Sequence, residues 1–205
     1  MDAKALLSPK RALFMVLALL TLTAFAIHNL PMFGSGAGAE LSHIAPFRWW
    51  LLLHAPFGIA ALLLGPLQFS STIRRRNLQL HRRLGQAYVA AVTVAALGGI
   101  AIGFLEDWGV TQPVVQAIIW LIATQTAWIA ARNHNLAQHR LWVARSYGLT
   151  FVFVTSRLVP DLFFTNPTNW ALNDIYWTLL AAALVLPDLL LTANALLSAK
   201  KAGHG

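Results

Sequence analysis

Seven histidines and no cysteine set the chemistry open to this chain. Without cysteine there are no disulfides, thiolate metal sites or thiol nucleophiles. Imidazole remains, as a ligand for iron, copper or zinc, as a proton carrier, or as a hydrogen-bond donor. Three histidines recur with small or polar residues at helical spacing, about 100° per residue. His54, Gly58, Ala61, Gly65 and Gln68 share one line. His81, Gly85, Tyr88, Val92, Ala95, Gly99 and Gly103 share a second, which includes a GxxxG step. His139, Ser146, Thr150 and Arg157 share a third. Small residues let helix backbones approach closely or leave room for a flat ligand, so ordinary helix packing is the structural alternative.

Two pairings follow from depth. His28 and His54 fall near one end of their segments, and His81 and His139 near the other. Two histidines on facing helices hold a haem axially. Arg82, Arg140 and Tyr88 stand beside the second pair, and the arginines suit carboxylate propionates or lipid phosphate. A quinone headgroup needs only a histidine or similar donor beside a flat apolar slot. The candidate cofactor-binding residues are therefore His28, His54, His81, His139, Arg82, Arg140 and Tyr88. His54, His81 and His139 are the candidate metal ligands, and haem b, copper, zinc and quinone all stay open. His43, His134 and His204 read as loop or tail residues.

These residues must be positioned by membrane-spanning helices. Of 205 residues, 58% are hydrophobic and 11% charged. A soluble domain carries about a quarter charged residues, so the bilayer is the expected solvent. Six apolar segments, 12–30, 47–70, 84–104, 113–131, 141–159 and 174–197, approach the ~20 residues that a helix needs to cross the hydrocarbon. Short linkers predict antiparallel neighbours in one bundle with no second domain. Trp49, Trp50, Trp108, Trp142, Trp170 and Trp177 fall near the expected interfaces, where amphipathic rings settle.

The charges orient the bundle. Lys4, Lys10 and Arg11, the run Arg74, Arg75, Arg76, Arg82 and Arg83, then Arg132, Arg140 and Arg145, and finally Lys200 and Lys201 all fall on one side. Arg48 and Arg157 fall on the other, among Glu40, Glu106, Asp107, Asp161 and Asp174. The positive-inside rule then places both termini in the cytoplasm. The net charge of +8 does not indicate nucleic acid, because the basic residues lie between apolar spans and form no single soluble face. Lys10-Arg11, an apolar run and Ala24-Phe25-Ala26 also fit a signal peptide, but the segment is read as an uncleaved first helix.

Asp188 is the ionisable residue of the last span, directly after Pro187. A lone aspartate at the centre of a span costs about 2.5–3.5 kcal/mol, so it needs a partner, and Arg145 is the nearest candidate by depth. The pair reads either as a helix lock or as a proton relay or cation site. Arg157 and Asp161 read as a structural pair on one helix. There is no HExxH, no glycine-rich phosphate loop and no serine nucleophile with a base.

Three stretches carry a resemblance: HAPFGIAALLLGPLQF (54–69), LHRRLGQAYV (80–89) and HRLWVARSYGLTFVFVTSRL (139–158). Together they resemble the bacterial family of predicted membrane proteins known as domain of unknown function 2306. The resemblance implies weight on His54, Gly65, Pro66, His81, Arg82, Gly85, Tyr88, His139, Trp142, Arg145, Ser146 and Arg157, and on an acidic residue in the last helix, here Asp188. Val143 stands where that pattern often has methionine. The resemblance implies the six-helix fold and no particular substrate.

Three functions compete. A redox protein would bind b-type haem or a quinone through His54, His81 and His139. A small-molecule, ion or proton transporter would use Asp188, Arg145 and the polar face of 141–159. A non-catalytic accessory or assembly subunit would pack against other membrane chains. The histidine on each of three polar faces favours the first.

Overall fold

The structure is a computed structural model that describes residues 48–105, 111–163 and 169–202, with Thr23 and Pro46. The expected first span (12–30) with His28, the residues Glu106, Asp107 and Trp108, and the side chains of Arg157 and Asp161 lie outside the described residues. Every described element is a helix: α1 (Arg48–Gln68), α2 (Ser71–Arg76), α3 (Leu78–Leu105), α4 (Thr111–Arg132), α5 (Leu136–Phe163) and α6 (Asn169–Ala202).

Four of the described helices are long and apolar enough to cross a membrane, over Arg48–Gln68, Leu78–Leu105, Gln112–Arg132 and Leu172–Ala193. Helix α5 has the length, 28 residues or about 42 Å at ~1.5 Å per residue, but a less apolar sequence. Part of the reason is its position. Helices α4 and α6 pack on it and α1 touches it, and its Ser146 and Thr150 are buried in the bundle instead of facing lipid. Among the described residues helix α6 packs chiefly on α5 and leaves Leu186, Leu189, Leu190 and Leu197 exposed.

Chain neighbours run antiparallel, α1 along α3, α3 against α4, α4 against α5 and α5 against α6. Short capped connections enforce this. Ser70 Oγ accepts the Ile73 N–H at the start of α2, and Asn77 Oδ1 accepts the Leu80 N–H (2.8 Å) at the start of α3. That cap begins α3 at residue 78, six residues before the apolar run. Helix α2, inside the arginine-rich loop, carries Arg74, Arg75 and Arg76 in its last turn, where the helix dipole favours cations. At the end of α4, His134 takes φ 58°, and Asn135 N–H donates to Ala130 O (2.9 Å). This is a left-handed helix stop, and histidine is among the residues that tolerate it. Asn135 Oδ1 then caps α5 through the Gln138 N–H (3.1 Å).

The core is built of small residues, including Ala61, Ala91, Ala95, Ala96 and Ala123, around Tyr88, Trp120 and Leu149. Glycines bring the helices closest at three contacts. A Cβ on Gly65 would fall into the Tyr147 ring and one on Gly103 into the Val114 side chain, and one on Gly148 would lie 3.0 Å from Ala183 O.

Candidate functional site

The inner faces read from the sequence are largely the buried ones. On α3, Tyr88, Val92, Ala95, Gly99 and Gly103 are all buried, and on α1 so are Ala61, Gly65 and Gln68. The three histidines on these faces have different surroundings.

His54 lies in the seam between α1 and α3. Its Nδ1 is 2.7 Å from Ala95 O, its ring rests where a Gly99 side chain would stand, and Phe153 meets it edge-on at 6.0 Å. His139 begins α5, with Nδ1 3.0 Å from Ala127 O across the short turn from α4. A carbonyl only accepts, so Nδ1 carries a proton in both rings, and in a neutral ring the lone pair is then on Nε2. An imidazole oriented in this way is the form that binds a metal.

His81 is half-buried in the first turns of α3, and His139 on the parallel helix α5 is within electrostatic reach of it, with Arg74 and Arg82. Its Nδ1 is shielded from the surface and has no hydrogen-bond partner among the described residues. The same is true of Nε2 of Gln68, the last residue of α1. The Gln68 side chain runs along α3 at Gly85, its Oε1 3.2 Å from where a Cβ would be. Arg82 and Arg140 are exposed around this end. His81 and His139 thus share the basic end, within electrostatic reach of each other. His54 is not among them, because Ala95 is 14 residues beyond His81 on α3, about 21 Å along the axis. Among the described residues no three His, Cys, Asp or Glu side chains cluster as a metal site.

Tyr88 belongs to a buried hydroxyl network that joins α3, α4 and α5. Thr124 donates to Trp120 O (2.7 Å) and Thr150 to Ser146 O (2.9 Å). Those two hydroxyl protons are therefore committed. Thr150 receives the Trp120 indole N–H (2.9 Å), and Ser146 must be the donor to Thr124 (2.7 Å). The Tyr88 proton lies between Ser146 Oγ (2.8 Å) and Thr150 Oγ1 (3.0 Å). Each proton has an acceptor, so the network is a lock and Tyr88 has no proton left for a ligand. Thr124, Trp120 and Gln116 share one face of α4, four residues apart, and Gln116 extends the polar contacts to Leu149 O (2.9 Å) and to the Tyr176 hydroxyl. That regular spacing in an apolar segment is the sequence signal for this second polar stripe.

Arg145 meets Asp188 across α5 and α6, with Nη2 2.7 Å and Nε 3.1 Å from the same oxygen, Oδ2. The guanidinium also lies 4.5 Å over the Trp142 ring. Asp188 lines an open groove of about 550 Å³ with Gln138 and Thr192.

A family model described as "Predicted membrane protein (DUF2306)" matches residues 51–193, which include all of these side chains. No curated protein and no solved structure matches the chain.

Proposed function

Given that the chain belongs to the DUF2306 family of predicted membrane proteins, we propose that it is a six-span electron-transfer protein of the bacterial inner membrane. Both termini are cytoplasmic, and a redox cofactor, b-type haem or a quinone, sits at the basic end of the bundle between His81 and His139. One observation carries this reading. His139 is oriented by Ala127 O, and His81 on a parallel helix is within electrostatic reach of it. Two imidazoles at one level on parallel helices suit an axial pair or a headgroup clamp. Arg82 and Arg140 at the same end suit the acidic groups of a cofactor. His54, oriented in the same manner about 21 Å away, supports a second station toward the other membrane face.

The first test is an absorbance spectrum of the purified protein, oxidised and then dithionite-reduced, with metal analysis and organic extraction of the same sample. A Soret band or an extracted quinone is expected, lost in His81→Ala and in His139→Ala. A preparation with neither haem nor quinone overturns the reading.

The Arg145–Asp188 pair supports a second reading, a proton or cation pathway. Both guanidinium contacts converge on Oδ2, so Oδ1 stands outside the pair, and Asp188 lines an open groove with Gln138 and Thr192. Here Asp188→Asn abolishes transport into proteoliposomes and leaves cofactor content unchanged. The redox reading predicts the reverse pattern for the histidine variants.

A further inference from the structure

Helix α6 changes character at Pro187. Before it, Leu180 and Ala183 are buried, and Tyr176, Leu179 and Leu184 pack against the core. After Asp188, the described side chains, those of residues 189–193, 196 and 197, are all exposed. Proline has no N–H, so Ala183 O lacks the donor that an unbroken helix would supply four residues on. That carbonyl lies against α5, where a Cβ on Gly148 would be 3.0 Å from it. Arg145, one turn before Gly148 on α5, holds Asp188, the residue after the proline. Past this ion pair the two helices part. An open groove of about 550 Å³ lies between Ala137, Gln138 and Leu141 of α5 and Leu191, Thr192 and Leu196 of α6. Pro187 and Leu190 border a second groove, of about 380 Å³, on the side of Phe69.

We propose that residues 189–202 form an arm that swings about Pro187, and that the Arg145–Asp188 pair is the latch that holds it. Three observations meet here. The backbone is weakest at the proline, where membrane helices kink. The segment beyond has open space on two sides, whereas a close-packed segment could not move without strain. The α5 half of the latch is fixed, because the guanidinium lies over the Trp142 ring and Trp142 donates to Gln138 Oε1 (3.0 Å). The moving part is therefore α6. The arm walls the groove that Asp188 lines, so its position sets the width of that groove under either reading of function above.

The test is double electron–electron resonance on the full chain in nanodiscs, which the absence of cysteine makes direct. One spin label is placed at Gln79→Cys and the other at Leu197→Cys on the arm, or at Val185→Cys before the hinge; all three positions are exposed. Leu197 is about 15 Å beyond Pro187, so a ~20° change of kink moves it about 5 Å. The latch is removed by Arg145→Met with Asp188→Leu, which strands no charge and so keeps the bundle folded. In that background the 79–197 distances are expected to shift or broaden by about 5 Å, with the 79–185 distances unchanged. Adding Pro187→Ala, which restores the N–H, is expected to abolish the response. An unchanged 79–197 distance, an equal shift at 185, or a response that survives Pro187→Ala overturns the inference.

Discussion

Arg145 and Asp188 show how one half-buried ion pair constrains its neighbours. The guanidinium gives two N–H groups to one carboxylate oxygen and covers the Trp142 ring, and Trp142 in turn donates to Gln138 Oε1 (3.0 Å). Removing the carboxylate leaves a cation without its counterion beside an apolar helix. Asp188→Ala is expected to destabilise by about 2 kcal/mol, below the 3–5 kcal/mol of fully buried pairs because both side chains keep some exposure. The check is thermal unfolding in detergent. Arg145→Ala with Asp188→Ala is expected to cost clearly less than the two single changes summed, since the pair is coupled. Asp188 was legible in the sequence because a carboxylate is expensive in an apolar run, and depth alone pointed to Arg145. Thr124 and Trp120 were not. A threonine in a helix can satisfy its hydroxyl on its own backbone four residues back, as Thr93 and Thr126 do, and nothing in the sequence marks which one also meets a serine on another helix. Gln68 was legible as part of an inward face, but its missing acceptor is visible only once α3 is packed against it.

The helices are spaced by glycine on one side of a contact and a large or polar group on the other. Gly65 accommodates the face of Tyr147, and Gly98 and Gly99 accommodate His54. Gly65→Val must displace an aromatic ring packed between α1 and α5, and is expected to cost about 1–3 kcal/mol, with Tyr147→Ala in the same chain recovering part of it. Denaturant titration of the three variants tests this. The hydroxyl network makes the opposite kind of contact, and Ser146 is its hub. Ser146→Ala removes the donor to Thr124 and an acceptor of Tyr88. Interhelical hydrogen bonds in membranes average about 0.6 kcal/mol, so two lost at once give an expected cost of about 1 kcal/mol. Element identity was legible from hydropathy, but element ends were not. Arg82 and Arg83 are good helix formers, so α3 runs through them to its Asn77 cap while the apolar signal starts later. The same polarity that places Ser146 and Thr150 in the core lowers the hydropathy of α5, so the helix with neighbours on several sides carries the weakest membrane signal.

Taken together, the described helices have a strongly basic end and an opposite end with few cations. Arg74, Arg75, Arg76, Arg82, Arg83, Arg132 and Arg140 gather where α1 ends, α3 begins, α4 ends and α5 begins. Arg48 is at the other end, at the start of α1. The candidate cofactor residues His81 and His139 share the basic end, so under the proposed function its side of the membrane decides which compartment would supply electrons and protons to the site. In the orientation proposed above, from the positive-inside rule, that end is cytoplasmic. The chain has no cysteine, so single introduced cysteines report topology without background. Gln79 is exposed at the basic end and Asp174 near the start of α6 at the other. In intact spheroplasts an impermeant maleimide is expected to label Asp174→Cys at once and Gln79→Cys only after lysis. The reverse order would invert the molecule and turn the candidate site outward. Ala3→Cys settles the number of spans by the same chemistry. Protection until lysis means that segment 12–30 crosses and returns the N-terminus to the basic side, giving six spans. Labelling from outside means that it does not cross, leaving five.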